Sequence, residues 1–344
     1  MRVFIGGYGP YLYMAWLDPE SGSLDLVDSV TTPANASFLA YSSQYETLYG
    51  TVETTSRAKG PGKLVAYRVD EASKLTTIGA VTSCGDAPCH VAVSEVHGIV
   101  AVANYAGGSV GIISIHSDGT PGELLRCFEH SGSGPDLKRQ EQPHPHAVVI
   151  APDGEHLYVC DLGTDEIRAY SPLADPAGMT SVRAAELAPG SGPRHLLFWE
   201  RQAYVVNELS NTVCVFDVDP ESGELRQIQE ESTLPPDYSA GNLAAEIAVH
   251  PTGRFLYVSN RGHDSIAVFA RDAASGKLTL SGHFDVTGPA PRHFAIDPSG
   301  TWCVVAVHDG NYVSSFALDP KTGVGRYTDS VVRITAPSCV VFPD

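Results

Sequence analysis

A chain of 344 residues, 43% hydrophobic and 18% charged, has the makeup of a folded globular protein and excludes disorder. Forty acidic against 22 basic residues leave a formal net charge of −18, which argues against nucleic acid or an anionic membrane surface as partner. The longest apolar runs are strand-sized, far short of the roughly 20 residues that span a bilayer.

The N-terminus, Met1-Arg-Val-Phe-Ile-Gly-Gly-Tyr8, enters a strand pattern at once and shows no signal-peptide core. A turn, Asp18-Pro-Glu-Ser-Gly22, comes next, and it returns as Asp219-Pro-Glu-Ser-Gly223, Asp272-Ala-Ala-Ser-Gly276 and Asp319-Pro-Lys-Thr-Gly323. It belongs to a longer phrase whose clearest copy starts at Glu246. That copy runs through an apolar strand, Pro251-Thr-Gly253, the strand Phe255–Asn260, the strand Ser265–Phe269 and then the turn. Equivalent starts fall near Ala34, Cys89, His146, Arg194, Ala245, Arg292 and Pro337, about 45 to 57 residues apart. Seven such phrases of short strands predict an all-β, seven-bladed propeller with four-stranded antiparallel blades, forming one domain over residues 1–344.

The last start holds a single strand, Ser338–Phe342, while Arg2–Tyr8 matches the second strand of the phrase with no first strand before it. Both termini should therefore build one composite blade, which closes the ring and removes two sheet edges. Pro and Gly punctuate the chain too often for helices. The longest irregular segment, Glu129–Pro143, is of the length that often borders a site. Seven scattered cysteines, several inside strands, read as reduced, buried thiols without a disulfide framework, as expected of a cytoplasmic protein.

The inner strands of a propeller line its channel, so two rings of equivalent positions matter. One holds Cys89, His146, Arg194, Ala245 and Arg292. The other, at the ends of the second strands, holds Asn104, Asp161, Asn207-Glu208, Asn260-Arg261 and His308. A structural repeat would fill equivalent positions alike, yet these differ from blade to blade and carry Arg, His, Glu and Asn. Such residues can simply line a wet channel, but a cluster of arginines, a histidine and a glutamate from four blades favours a site. Clustered arginines in so acidic a protein point to an anionic small-molecule ligand. His144 and His146 share a strand face and could ligate zinc, but no third ligand is suggested and a neighbouring Arg opposes a cation. No metal or cofactor is expected.

At Gln142-Pro-His-Pro-His146, Gly192-Pro-Arg-His195, Val206-Asn-Glu208, Ala245-Glu246-Ile-Ala and Ser259-Asn-Arg-Gly-His-Asp-Ser-Ile266, the chain resembles the seven-bladed propeller lactonases. That family comprises the propeller-type 6-phosphogluconolactonases and the fungal carboxy-cis,cis-muconate cyclases. The resemblance implies a metal-free site of His146, Arg194, Glu208 and Arg261. Glu208 or His146 would then serve as base and acid, and the arginines would bind the oxyanion and the substrate anion. Asn260, Arg292, His293 and His308 would hold the polyol, carboxylate or phosphate. The leading expectation is hydrolysis of 6-phosphogluconolactone or a related aldonolactone. A muconate-type lactonising enzyme, a lactonase of another substrate and a non-enzymatic scaffold are the alternatives.

Overall fold

Seven inner strands organise the molecule: Asn35–Ser42, Pro88–Ser94, Pro145–Ile150, Pro193–Trp199, Leu243–Val249, Pro291–Ile296 and Pro337–Val341. The computed structural model describes residues 1–53, 61–71 and 74–343. Each of the first six inner strands starts an antiparallel four-stranded blade, numbered 1 to 6 here, whose strands follow in chain order. The seventh pairs with Arg2–Gly7, which continues into Tyr11–Leu17 and Leu24–Thr31. Blade 7 is therefore the composite of both termini. Its inner strand packs against those of blades 6 and 1, so the ring is closed. Among the described residues there is no helix.

The core is divided into seven apolar layers, one between each pair of neighbouring blades. Tyr204, Val206 and Phe269 fill the layer between blades 4 and 5, and Val3, Val304 and Val340 the layer between blades 6 and 7. Both faces of a blade are thus covered, which is why the second strands read as unbroken apolar runs such as Gln202–Asn207, buried throughout. The fourth strands lie at the rim. Leu225–Ser232 alternates buried or half-buried with exposed positions and carries charge on its free edge.

The recurring turn is explained by local hydrogen bonding. Asp219 Oδ1 accepts from the amides of Glu221 at 2.9 Å and Ser222 at 3.1 Å, and Gly223 completes the turn at φ +72°. Its carbonyl then accepts from the hydroxyl of Tyr158 in blade 3 at 3.0 Å. The same tyrosine latch joins Tyr49 to Gly119 and Tyr204 to Gly276, so the turn registers each blade on the one before it. Gly6 sits where the second strand of blade 7 nears blade 1, and a Cβ there would overlap the carbonyl oxygen of Ala36.

One expectation is corrected. Cys84 and Cys127 form a disulfide, because the chain leaving blade 1 runs along the outer strand of blade 2. The other five cysteines are buried and free, as read from their strand positions.

Candidate active site

Six of the inner strands carry a register shift at the same level. The shifts fall between Ala36 and Leu39, Pro88 and His90, Pro145 and Ala147, Pro193 and His195, Ala244 and Ile247, and Pro291 and His293. In blade 7, where Gly6 and Gly7 face Cys339 and Pro337, Ser338 is passed over in the same way. Bulges re-aim the unpaired residue, so Cys89, His146, Arg194, Ala245-Glu246, Arg292 and Ser37-Phe38 leave the alternating pattern at one level of the ring.

A second tier follows the paired ends of the second strands: Tyr8, Glu53, Tyr105, Glu208, Arg261 and His308. The residues one position earlier have other work. Asp161 is fully buried and accepts from the amides of His144 (2.7 Å) and Gly163 (3.0 Å) and from His130 Nδ1 (2.6 Å). Asn260 donates to the carbonyl of Thr233 and accepts from the hydroxyl of Thr233 and the amide of Asn242. The structure therefore does not bring Asn260 to the cluster; its amide is fully used in holding loops.

The cluster centres on Glu208, which is 2% exposed. Oε2 lies 3.0 Å from Arg194 Nε and 2.8 Å from Arg261 Nη2, and Oε1 accepts from Arg139 Nη2. Burial works to raise the pKa of this carboxyl, but Arg261, Arg194 and Arg139 together hold it well below the usual carboxylate range. Glu208 is thus a fixed anion that organises three guanidinium groups, and a poor proton acceptor. Arg139 comes from the irregular Glu129–Pro143 segment and also donates to the hydroxyl of Tyr105 at 3.4 Å. Sequence reasoning marked that segment without finding the arginine.

Arg194 is 3% exposed, and burial, reinforced by Arg261 and Arg292, lowers its pKa to about 10, so it stays protonated at neutral pH. Nη1 donates to the carbonyl of Ala245 at 2.7 Å and contacts His195 Nε2 at 3.1 Å. Nε meets Glu208 as a close ion pair without hydrogen-bond alignment. Nη2 makes no hydrogen bond or ion pair among the described residues.

His146 is equally uncommitted. Neither ring nitrogen has a hydrogen-bond partner among the described residues, and Nδ1 is buried. Burial and then Arg194 keep the imidazole well below its ordinary pKa, hence neutral. His144 is the histidine turned away: its Nδ1 lies 2.8 Å from the carbonyl oxygen of Tyr105, on whose ring it stacks. Tyr105 stands edge-on to His146 as well.

Arg292 stands apart from this group. Its Nη2 donates to the hydroxyl of Tyr8 at 3.1 Å, and that hydroxyl donates to Glu53 at 2.6 Å. No carboxylate lies within 4.0 Å of its guanidinium among the described residues, in contrast to Arg139, Arg194 and Arg261. His308 packs edge-on against Tyr8, and its Nδ1 contacts the carbonyl oxygen of Pro337 at 3.2 Å. His293 is elsewhere: 8% exposed, it lies 3.1 Å from Glu246 Oε2 and receives the amide of Val340 at 3.3 Å. Among the described residues no three His, Cys, Asp or Glu side chains are grouped as metal ligands.

A closed seven-bladed ring with a neutral histidine, a pinned carboxylate and open guanidinium groups on its inner strands defines a propeller built for a small anionic ligand. A family model, "Lactonase, 7-bladed beta-propeller", matches residues 2–342. The chain is 34% identical to a 6-phosphogluconolactonase of Bacillus subtilis, covering 99% of both proteins. It is 30% identical to one of Formosa agariphila, covering 93% of each. A solved Pseudomonas aeruginosa structure titled a periplasmic gluconolactonase superposes with a TM-score of 0.92 at 31% identity, covering 100% of this chain and 99% of that one. The chain belongs to the lactonase family of seven-bladed β-propellers.

Proposed function

We propose that this cluster hydrolyses an anionic sugar lactone in the central channel, with 6-phosphogluconolactone as the leading substrate. The observation that carries the reading is the pairing of His146, neutral and with both nitrogens open, with the free Nη2 edge of Arg194. His146 accepts a proton from water as the water oxygen attacks the lactone carbonyl carbon. Arg194 faces the oxyanion of the tetrahedral intermediate. The ring C–O bond then breaks, and the departing alkoxide takes the proton back from His146. The product carboxylic acid ionises at neutral pH and releases one proton to solvent.

Arg292 supports an anionic substrate. A buried guanidinium without a carboxylate is costly until an anion joins it, and a phosphate fits its planar fork. That anion also offsets the cations that depress His146, making it a better base once the substrate is bound. Glu53 and Tyr8 supply an acceptor and a donor–acceptor for the polyol hydroxyls.

The test is proton release in a pH-stat over phosphorylated and unphosphorylated aldonolactones, using EDTA-treated protein. Turnover should persist without metal and favour the phosphorylated lactone. Arg292→Ala should raise KM for that substrate by roughly tenfold or more, as loss of a charge-assisted hydrogen bond implies. Absence of turnover with every lactone overturns the reading.

A further inference from the structure

Beneath Arg194 lies a buried polar chain that the proposed reaction does not use. Glu246, from the bulge of blade 5, places Oε2 3.0 Å from His195 Nδ1 and 3.1 Å from His293 Nε2, while its Oε1 receives the amide of Ile247 at 3.1 Å. The far nitrogens of both histidines meet groups that can only donate. His195 Nε2 faces Arg194 Nη1, and His293 Nδ1 faces the amide of Val340. Each far nitrogen must therefore be the bare acceptor, and each near one carries the proton. His195 is the Nδ1–H tautomer and His293 the Nε2–H tautomer, both donating to Glu246, which must then be ionised to accept them. Phe38 packs against both rings, with centroids 5.7 and 5.5 Å away, and so fixes their planes.

The consequence falls on Arg194. Its Nη1 has two hydrogens. One goes to the carbonyl of Ala245 and the other to His195 Nε2, while Nε is held against Glu208. Three fixed neighbours orient the guanidinium plane and leave Nη2 as its open edge.

We propose that His195 is a positioning residue for Arg194: Glu246 locks the His195 tautomer, and the bare Nε2 pins Nη1 so that Nη2 is presented to the substrate. The chain Val340–His293–Glu246–His195–Arg194 spans the inner strands of blades 7, 6, 5 and 4. The strand that closes the ring thus also sets the direction of a side chain three blades away. The kinetic part of this proposal rests on the lactonase reading; the tautomer assignment does not.

Two measurements test it. Two-bond nitrogen–proton correlation spectra of histidine-labelled protein, assigned with His195→Gln, read each tautomer without substrate. The Nδ1–H form is expected for His195, and an Nε2–H form or an imidazolium overturns the proposal. On the preferred lactone, His195→Gln keeps an acceptor near the Nε2 position and should hold kcat within about threefold. His195→Asn keeps the donor to Glu246 and loses that acceptor, and it should lower kcat by ~30- to 100-fold at nearly unchanged KM, as misplacement of a catalytic group does. Equal losses in the two variants, or a loss confined to KM, contradict it. If wild type hydrolyses no lactone, the function proposal fails, and the tautomer spectrum alone decides this one.

Discussion

The two ends of a blade obey opposite rules. At the outer turn, blade after blade repeats Asp, a short spacer and Gly, and the interactions are neutral or local: an Asx-type turn, a glycine at positive φ and a tyrosine latch. At the inner bulge, the same structural position holds Cys89, His146, Arg194 or Arg292, and the interactions are buried charges that run between blades. The turn end stabilises the ring and carries no chemistry. The bulge end carries buried charge that a structural repeat has no need of, so it should be sensitive to substitutions that leave the fold intact.

The largest effect should come from the bulge end. His146→Ala should lower kcat by ~10²- to 10⁴-fold, the range typical of a lost general base, with a melting temperature close to wild type, since its ring bonds to nothing in the described structure. Steady-state kinetics beside a thermal melt checks both halves. Next comes Glu208→Gln, which leaves Arg139, Arg194 and Arg261 without their common anion. Breaking a buried ion pair costs about 3–5 kcal/mol, so denaturant unfolding should show the loss together with reduced kcat. Stability preserved in this variant would break the contrast between the two ends.

Acid should act on the bulge end before the turns. Burial pushes His90, His146 and His195 well below the ordinary histidine value, and His293 down to about 4. A histidine with a depressed folded pKa takes up its proton more readily when unfolded. Its contribution is therefore full above about pH 6.5 and is lost as pH falls toward the folded value. For His293 alone the window from about 6.5 to about 4 is worth on the order of 3 kcal/mol. Unfolding free energy should fall steadily below pH 6.5, and a flat profile from pH 7 to 4.5 would contradict four buried neutral histidines. The smallest effect belongs to the turn: Gly223→Ala, at φ +72°, should cost about 1–2 kcal/mol and leave kcat unchanged.

The same contrast explains what the sequence discloses. Seven blades, the composite closure by residues 2–7 and 337–341, and the absence of helix were legible because turns and apolar alternation are local properties. His146, Arg194, Glu208, Arg261 and Arg292 were legible as exceptions to the repeat. The second ring was read one residue short: Asn260 and Asp161 end their strands and hold loops, and the functional tier is the next position, with Tyr8, Glu53 and Tyr105. A bulge adds a residue without changing the pattern around it, so periodicity cannot show the offset. Arg139 lies in a segment with no repeat to depart from, and its meeting with Glu208 is a matter of tertiary geometry. The Cys84–Cys127 bond was missed for a similar reason, since it forms between a blade exit and its neighbour's outer strand.

The most direct test of the central claim, that buried charge on the inner strands performs lactone hydrolysis, is kcat of Arg194→Ala on the lactone that wild type hydrolyses best. Loss of the oxyanion donor should lower kcat by ~10²- to 10³-fold in a protein that still melts cooperatively. Wild-type kcat in a folded Arg194→Ala protein would contradict it.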